Sequence, residues 1–444
     1  LIVIYVGSVI YNYFFHPLRH IPGPFVASCM PGAGLISVIK GTIPFDLLEL
    51  HKEYGPVVRI TPDGVSFISH TAMHQIYSTH AFTKHPLYES YSWGGKHLFS
   101  STQTSFAKKR RRMLSPVFAL QNIVNLEPTI FDVSVGAILK KWYKMCSENS
   151  EDGPPIVLNM YQTVFEMFFG TIGRLVLGKA FTEAVTNHSS SAEVRDRIAS
   201  AFSSIDKILS VSHLIPSFVQ KLIIKGYLPG IGTGIYNVRR NDISKEQDIL
   251  QLMIDMVDPE TGDRMTKDEL TAEANLQLVA GTNTSANTLV WTFDFLMANP
   301  HVLQKVEEEV LKAYPDPNVR IIYRDAKQQL PYTEAVIWEA MRMRPTAGSY
   351  LPRITPADGR ALDGYFMPGG TMVGTSSYVM QHLEEYWDDP FEFKPERFLA
   401  VSSAERRQKV FPFSMGVRGC IGRHLALVEL LVILATLIQH FEIR

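Results

Sequence analysis

Phe413-Ser414-Met415-Gly416-Val417-Arg418-Gly419-Cys420-Ile421-Gly422 is the stretch of this chain whose residue types and spacing point most directly to chemistry. A long apolar run follows it, so the spacing predicts that the sulfur of Cys420 is presented at a helix start. There the orphan backbone N–H groups and the positive end of the helix dipole favour a thiolate. Arg418 adds a positive charge two residues away, able to hold a carboxylate of whatever the thiolate binds. Gly416 and Gly422 let the backbone approach a flat partner where a Cβ would collide. A free cysteine is ordinarily a small core residue, but a core cysteine carries no such escort of glycines and arginine.

The positions Phe413, Gly416, Arg418, Cys420 and Gly422 resemble the haem-binding loop of the cytochrome P-450 family, F-x-x-G-x-R-x-C-x-G, and every fixed position is matched. The resemblance implies haem b with Cys420 as the axial thiolate and sole protein ligand of the iron. Glu339-Ala340-Met341-Arg342 and Pro395-Glu396-Arg397-Phe398 resemble the family's E-x-x-R and P-E-R-F elements. Glu339 and Arg342 alone, at i and i+3 on a helix, read as a solvated ion pair. With Arg397, the resemblance makes them a buried triad that fixes the loop leading to the cysteine.

Phe106 and Arg110 resemble the W-x-x-x-R pattern, with phenylalanine replacing tryptophan. This implies that Arg110 binds a haem propionate and that the indole N–H is lost. The rest of the run Lys108 to Arg112 is then expected to face outward, as a docking patch for an acidic flavin-containing reductase or as a plain solvated face. Arg353 matches the arginine that reaches the second propionate, against the simpler reading of a surface residue at a strand start. Ala280-Gly281-Thr282-Asn283-Thr284-Ser285 resembles the oxygen-activation motif [AG]-G-x-[DE]-T-[TS]. Gly281 is expected to let its helix lie over the haem, Thr284 to hydrogen-bond the bound oxygen, and Ser285 to assist proton delivery. Asn283 replaces the usual acid, and an amide cannot gain and lose a proton near neutral pH.

The elements that position these residues are legible in part. Val57 to Ile60 and Val65 to Ser69, bounded by Pro56, Pro62, Asp63 and Gly64, predict a hairpin. From about residue 105 helical periodicity dominates. Thr266 and Glu269 predict a capping box opening a helix that runs to residue 298, and Asn299-Pro300 is expected to cap and open the next. A further helix is expected from Pro331 to about Met343, and strands between 351 and 376. The fold class is therefore mainly α with small β-sheets, which the resemblance makes the P-450 fold, haem lying between the long central helix and the cysteine helix.

At 444 residues with a formal net charge of −1, the chain is globular, and its charge balance argues against nucleic acid as the main partner. Three cysteines without close spacing imply neither a disulfide framework nor a zinc site. Residues 1–15 are apolar and aromatic and are read as part of a membrane anchor, residues 16–30 as a proline-rich hinge, and 31–444 as the catalytic domain, shortened at its carboxyl end. Gly230 to Gly234 lacks a dinucleotide-binding spacing, and the triplets at Asn187 and Asn283 are expected to stay unglycosylated in the cytoplasm. The apolar segment Ile205 to Leu228 is expected at a substrate entrance dipping into the membrane.

Most similar in pattern are fungal members serving secondary metabolism. The implied function is an endoplasmic reticulum monooxygenase facing the cytoplasm, fed by NADPH-cytochrome P450 reductase with cytochrome b5 as a further donor. Substrate is expected to meet Tyr88 to Phe99, 201–228, Leu276 to Thr284 and Thr346 to Leu351, segments rich enough in apolar side chains to favour an apolar molecule. Asn283 keeps open a rearranging, peroxide-using or radical-coupling enzyme, and a non-catalytic haem or ligand binder is the third alternative.

Overall fold

The computed structural model describes residues 2–32, 35–92, 95–149, 155–179, 248–402, 405–406 and 409–444. The segment from Ile205 to Leu228, Gly230 to Gly234 and the triplet at Asn187 lie outside the described residues. Its helices, in order, are α1 (Ile2–Phe14), α2 (Phe25–Cys29), α3 (Leu35–Lys40), α4 (Ile43–Tyr54), α5 (His70–Tyr77), α6 (Thr104–Val117), α7 (Leu120–Asn125), α8 (Glu127–Val133), α9 (Val135–Glu148), α10 (Met160–Leu177), α11 (Ile249–Asp255), α12 (Lys267–Ala298), α13 (Pro300–Ala313), α14 (Tyr323–Gln329), α15 (Pro331–Met343), α16 (Ser377–Met380) and α17 (Arg423–His440).

The strands are β1 (Val57–Thr61), β2 (Gly64–Phe67), β3 (Thr83–Lys84), β4 (Arg353–Ile354), β5 (Arg360–Leu362), β6 (Tyr365–Met367) and β7 (Met372–Gly374). Five of them form a sheet in the order β1-β2-β7-β4-β3, while β5 and β6 make a separate hairpin. The β1–β2 hairpin is antiparallel with Val57 opposite Phe67, and β2 runs parallel to β7. At the far edge β3 sets Lys84 directly opposite Arg353 of β4. Directly paired residues share a sheet face, which brings two basic side chains to one place.

Helix α12 opens with the expected capping box, Thr266 accepting from the Glu269 N–H and Glu269 reaching back to the Thr266 N–H. It packs against α10, α15 and α17. Gly281 serves this packing: a Cβ there would stand 2.9 Å from Ile172 of α10. Asn299 departs from expectation, since its side chain bonds back to the Phe295 carbonyl at 2.8 Å and leaves α13 without a side-chain cap.

Helix α17 is apolar on nearly every side and is long enough by composition to cross a bilayer, but most of it is buried against other helices. Apolarity all round is what a central core helix requires. Helix α1 is shorter than a span and largely exposed. Its end is nevertheless docked: Asn12 donates to the Cys29 carbonyl at 2.9 Å, and buried Arg59 donates to the Asn12 carbonyl at 3.1 Å. Residues 17–20 form turns, with Leu18 and Ile21 buried, and α2 occupies the end of the expected hinge.

Candidate active site

The cysteine loop is shaped by its own backbone. Cys420 N–H donates to the Phe413 carbonyl at 2.7 Å and Gly419 N–H to Gly416 at 3.1 Å, while helix α17 starts three residues beyond the sulfur. Gly416 has φ +63°, and a Cβ there would lie 2.4 Å from Cα of Ser78. Its glycine requirement therefore comes from the turn and from the end of α5. It does not line the cavity, in contrast to the role expected from sequence. Gly422 does line it, and the nearest atom to a Cβ there would be the Cys420 sulfur at 3.9 Å.

Cys420, Phe413, Arg418, Gly422, Arg353, Gly281, Thr284 and Ser285 all face one cavity of about 340 Å³, within the range of small-molecule sites. Enclosure by protein pushes the Cys420 thiol up, opposed by the Gly422 N–H and the charges of Arg111 and Arg423. Five basic side chains line the wall: His80, Lys84, Arg111, Arg353 and Arg418. Burial and mutual repulsion lower Lys84 to about 7 and Arg418 to about 10. His80 Nδ1, Arg353 Nε and Arg418 Nε are buried without a hydrogen-bond partner. The one acid on the described lining is Glu429 of α17, whose two carboxyl oxygens are likewise unpartnered and whose burial holds it protonated well above the usual carboxylate range. Orphaned donors, excess cations and a single thiol fit a flat anionic cofactor with a thiolate-bound metal, as haem with its two propionates is.

Arg110 is placed elsewhere. It turns from the cavity to Glu269 and to Glu273 of α12, 3.2 Å from the latter, and lies over the ring of Phe106. Neither Phe106 nor Arg110 lines the cavity; Arg111 does, donating to the carbonyls of Val417 and Gly419 in the cysteine loop. One position along a helix is about 100° of rotation, so the W-x-x-x-R spacing fits this geometry one residue later, with Ala107 at the aromatic position. Of the rest of the run, Lys109 pairs with Asp263, Arg112 is bidentate to Asp258 and paired with Glu260, and Lys108 is exposed. We expect Arg111→Gln to speed haem transfer to an apo-globin acceptor about tenfold or more, the cost of a charge-assisted hydrogen bond, with Arg110→Gln leaving that rate near wild type.

On α12, Thr284 donates to the Ala280 carbonyl at 2.6 Å, Thr288 to Thr284 and Thr292 to Thr288, both at 2.8 Å. Having given its proton to the backbone, the Thr284 oxygen presents lone pairs to the cavity. Asn283 is half-buried beside it and off the cavity wall.

Glu339 and Arg342 of α15 are fully buried and joined by two hydrogen bonds of 2.7 and 2.8 Å, and Arg397 Nε stands 3.4 Å from Glu339. Glu339 also accepts from the Lys394 N–H at 3.0 Å, and Arg342 donates to the carbonyls of Gln381, Pro390 and Glu392. Gln381 extends this network to the cysteine loop, accepting from the Phe411 N–H at 3.0 Å while donating to the Met341 and Arg342 carbonyls. Sequence reasoning missed Gln381, Arg111, His80, Lys84 and Glu429. Only Glu429 left a local signal, a lone acid in an apolar helix.

The sequence profile of the family described as Cytochrome P450 matches residues 24–444, and the chain belongs to that family. It is similar to the cytochrome P450 monooxygenase helB1 of Aspergillus fumigatus, at 28% identity over 100% of this chain and 78% of that protein. The cytochrome P450 monooxygenase BOT4 of Botryotinia fuckeliana is 29% identical over 98% of this chain and 82% of its own length. The protein is accordingly a haem-thiolate monooxygenase, an oxidoreductase that incorporates oxygen and needs an electron-donating partner. Rearrangement, radical coupling and non-catalytic binding are not favoured.

Proposed function

We propose that this enzyme inserts one atom of dioxygen into an apolar small molecule of fungal secondary metabolism, at the endoplasmic reticulum membrane with the catalytic domain facing the cytoplasm. Electrons come from NADPH through a cytochrome P450 reductase, with cytochrome b5 as a further donor. The observation that carries this reading is one cavity in which Cys420 and Thr284 are roofed by Leu98, Phe99, Leu276 and Leu351. Bound through Cys420, haem supplies reductive cleavage of dioxygen, which thiolate ligation favours. Arg111, Arg353, Arg418, His80 and Lys84, all on the cavity wall, would neutralise its carboxylates and fix its orientation. Apolar side chains exclude bulk water, and Thr284 Oγ1, its proton on the Ala280 carbonyl, would accept a hydrogen bond from a water delivering protons. The exposed apolar face of α1, including Ile2, Val3, Ile4 and Phe14, supports membrane attachment.

Aerobic turnover of a metabolite extract with reductase, NADPH and isotopically labelled dioxygen tests the reading by mass spectrometry. One labelled oxygen per product supports it; product formed equally without reductase overturns it. Asn283→Asp is expected to raise the fraction of NADPH recovered as product, because a carboxyl beside Thr284 can shuttle protons where the amide cannot. Substrate affinity should change little, and unchanged coupling would place the position outside the proton path.

A further inference from the structure

The cavity face of α12 reads Gln277, Ala280, Gly281, Thr284, Ser285 and Thr288, the spacing of one helical stripe. Thr284 and Thr288 satisfy their hydroxyls on the helix backbone. Gln277 does not: its side-chain amide nitrogen is buried and has no hydrogen-bond partner, although the residue is 8% exposed and lines the cavity. Buried amides without partners are rare because their lost hydration is not replaced.

Among the described residues no group bonds to that nitrogen. The N–H of Leu98 is held by Glu273, one turn before Gln277, and the carbonyls of Leu98 and Phe99 both accept from Lys84 Nζ. These contacts clamp the loop in place and engage the Leu98 N–H and both carbonyls. What remains on that part of the wall is the apolar surface of Leu98, Phe99 and Leu276. A single unmet amide in an apolar pocket is how a site selects a ligand by one polar atom.

We infer that Gln277 hydrogen-bonds an oxygen already present on the substrate, so that the substrate is an apolar skeleton bearing a carbonyl or hydroxyl group remote from the carbon attacked. Thr284 lies seven positions after Gln277, a rise of roughly 10 Å along the helix, so that oxygen sits remote from the part of the cavity that Thr284 faces. The amide donates to a carbonyl, and either end of it can meet a hydroxyl. A reaction that installs or retains such an oxygen must therefore precede this enzyme. The inference rests on the monooxygenase reading of the same cavity and adds the polar requirement.

Two rigid probes of suitable length, bicyclohexyl and 4-cyclohexylcyclohexanone, test it by Soret titration of the haem-loaded protein. Wild type and Gln277→Leu are compared, with Gln277→Met as a second variant should leucine disturb folding. The ratio of ketone to hydrocarbon affinity is expected to fall about tenfold on substitution, the loss of one buried hydrogen bond, and wild type should oxidise the ketone on its distal ring. An unchanged ratio in both variants overturns the assignment of Gln277. Failure of the wild-type protein to show a thiolate-type carbon monoxide spectrum would instead overturn the reading of the site itself.

Discussion

Replacing Cys420 with alanine is expected to leave a folded protein whose reduced carbon monoxide complex lacks the red-shifted Soret band of thiolate ligation. The loop should survive because its shape is held by backbone: Cys420 N–H on Phe413, Gly419 N–H on Gly416, and Arg111 on the Val417 and Gly419 carbonyls. Only the sulfur is removed. Among the described residues no other thiol faces the cavity, since Cys29 lies in α2 and Cys146 on the exposed side of α9. His80, Met73, Met341 and Met415 do face it, but none can supply a thiolate, so haem retained in the variant should show a different spectrum and support no turnover. Persistence of the thiolate band in Cys420→Ala would sink the assignment.

Glu339→Ala should act through folding. Arg342 is fully buried, and its guanidinium keeps three carbonyl acceptors but loses its counter-charge, while the Lys394 N–H loses its acceptor. Breaking a buried pair from one side costs about 3–5 kcal/mol, a large share of the roughly 5–15 kcal/mol that stabilises a domain. Because Gln381 ties the Arg342 carbonyl to Phe411, the damage should reach the cysteine loop and appear as poor haem retention. Thermal unfolding followed at the Soret band measures both effects, and Glu339→Gln should fall between wild type and alanine because the amide keeps part of the hydrogen bonding. Wild-type haem content and unfolding temperature in Glu339→Ala would show that the triad does not hold the loop.

What could be read from sequence was local. The Thr266–Glu269 capping box placed the start of α12 because both partners lie within one turn. Pro331 and Pro300 marked helix openings for the same reason, their missing N–H being harmless only there. The cysteine loop was legible because a tight turn, a close approach and a charged partner each restrict residue type within ten consecutive positions. Composition bounded the rest, setting aside disulfides and nucleic acid.

Tertiary structure decided everything that depends on which way a side chain points across space. Five consecutive basic residues look alike in a sequence, yet α6 sends Arg110 to Glu273, Arg111 to the cysteine loop and Arg112 to Asp258. The rotation between neighbours on a helix makes an error of one position an error of about 100°, and only the placement of α6 beside α12 and the cysteine loop, bridged by these side chains, resolves it. Gly416 kept its place in the motif but changed its reason, from the cofactor to the end of α5. The His80–Lys84 segment, Gln277 and Glu429 sit far apart in the chain and reach one cavity because the β3–β4 pairing, α12 and α17 converge on it. No local pattern announces that convergence, since it comes from the burial of apolar surface between elements distant in sequence.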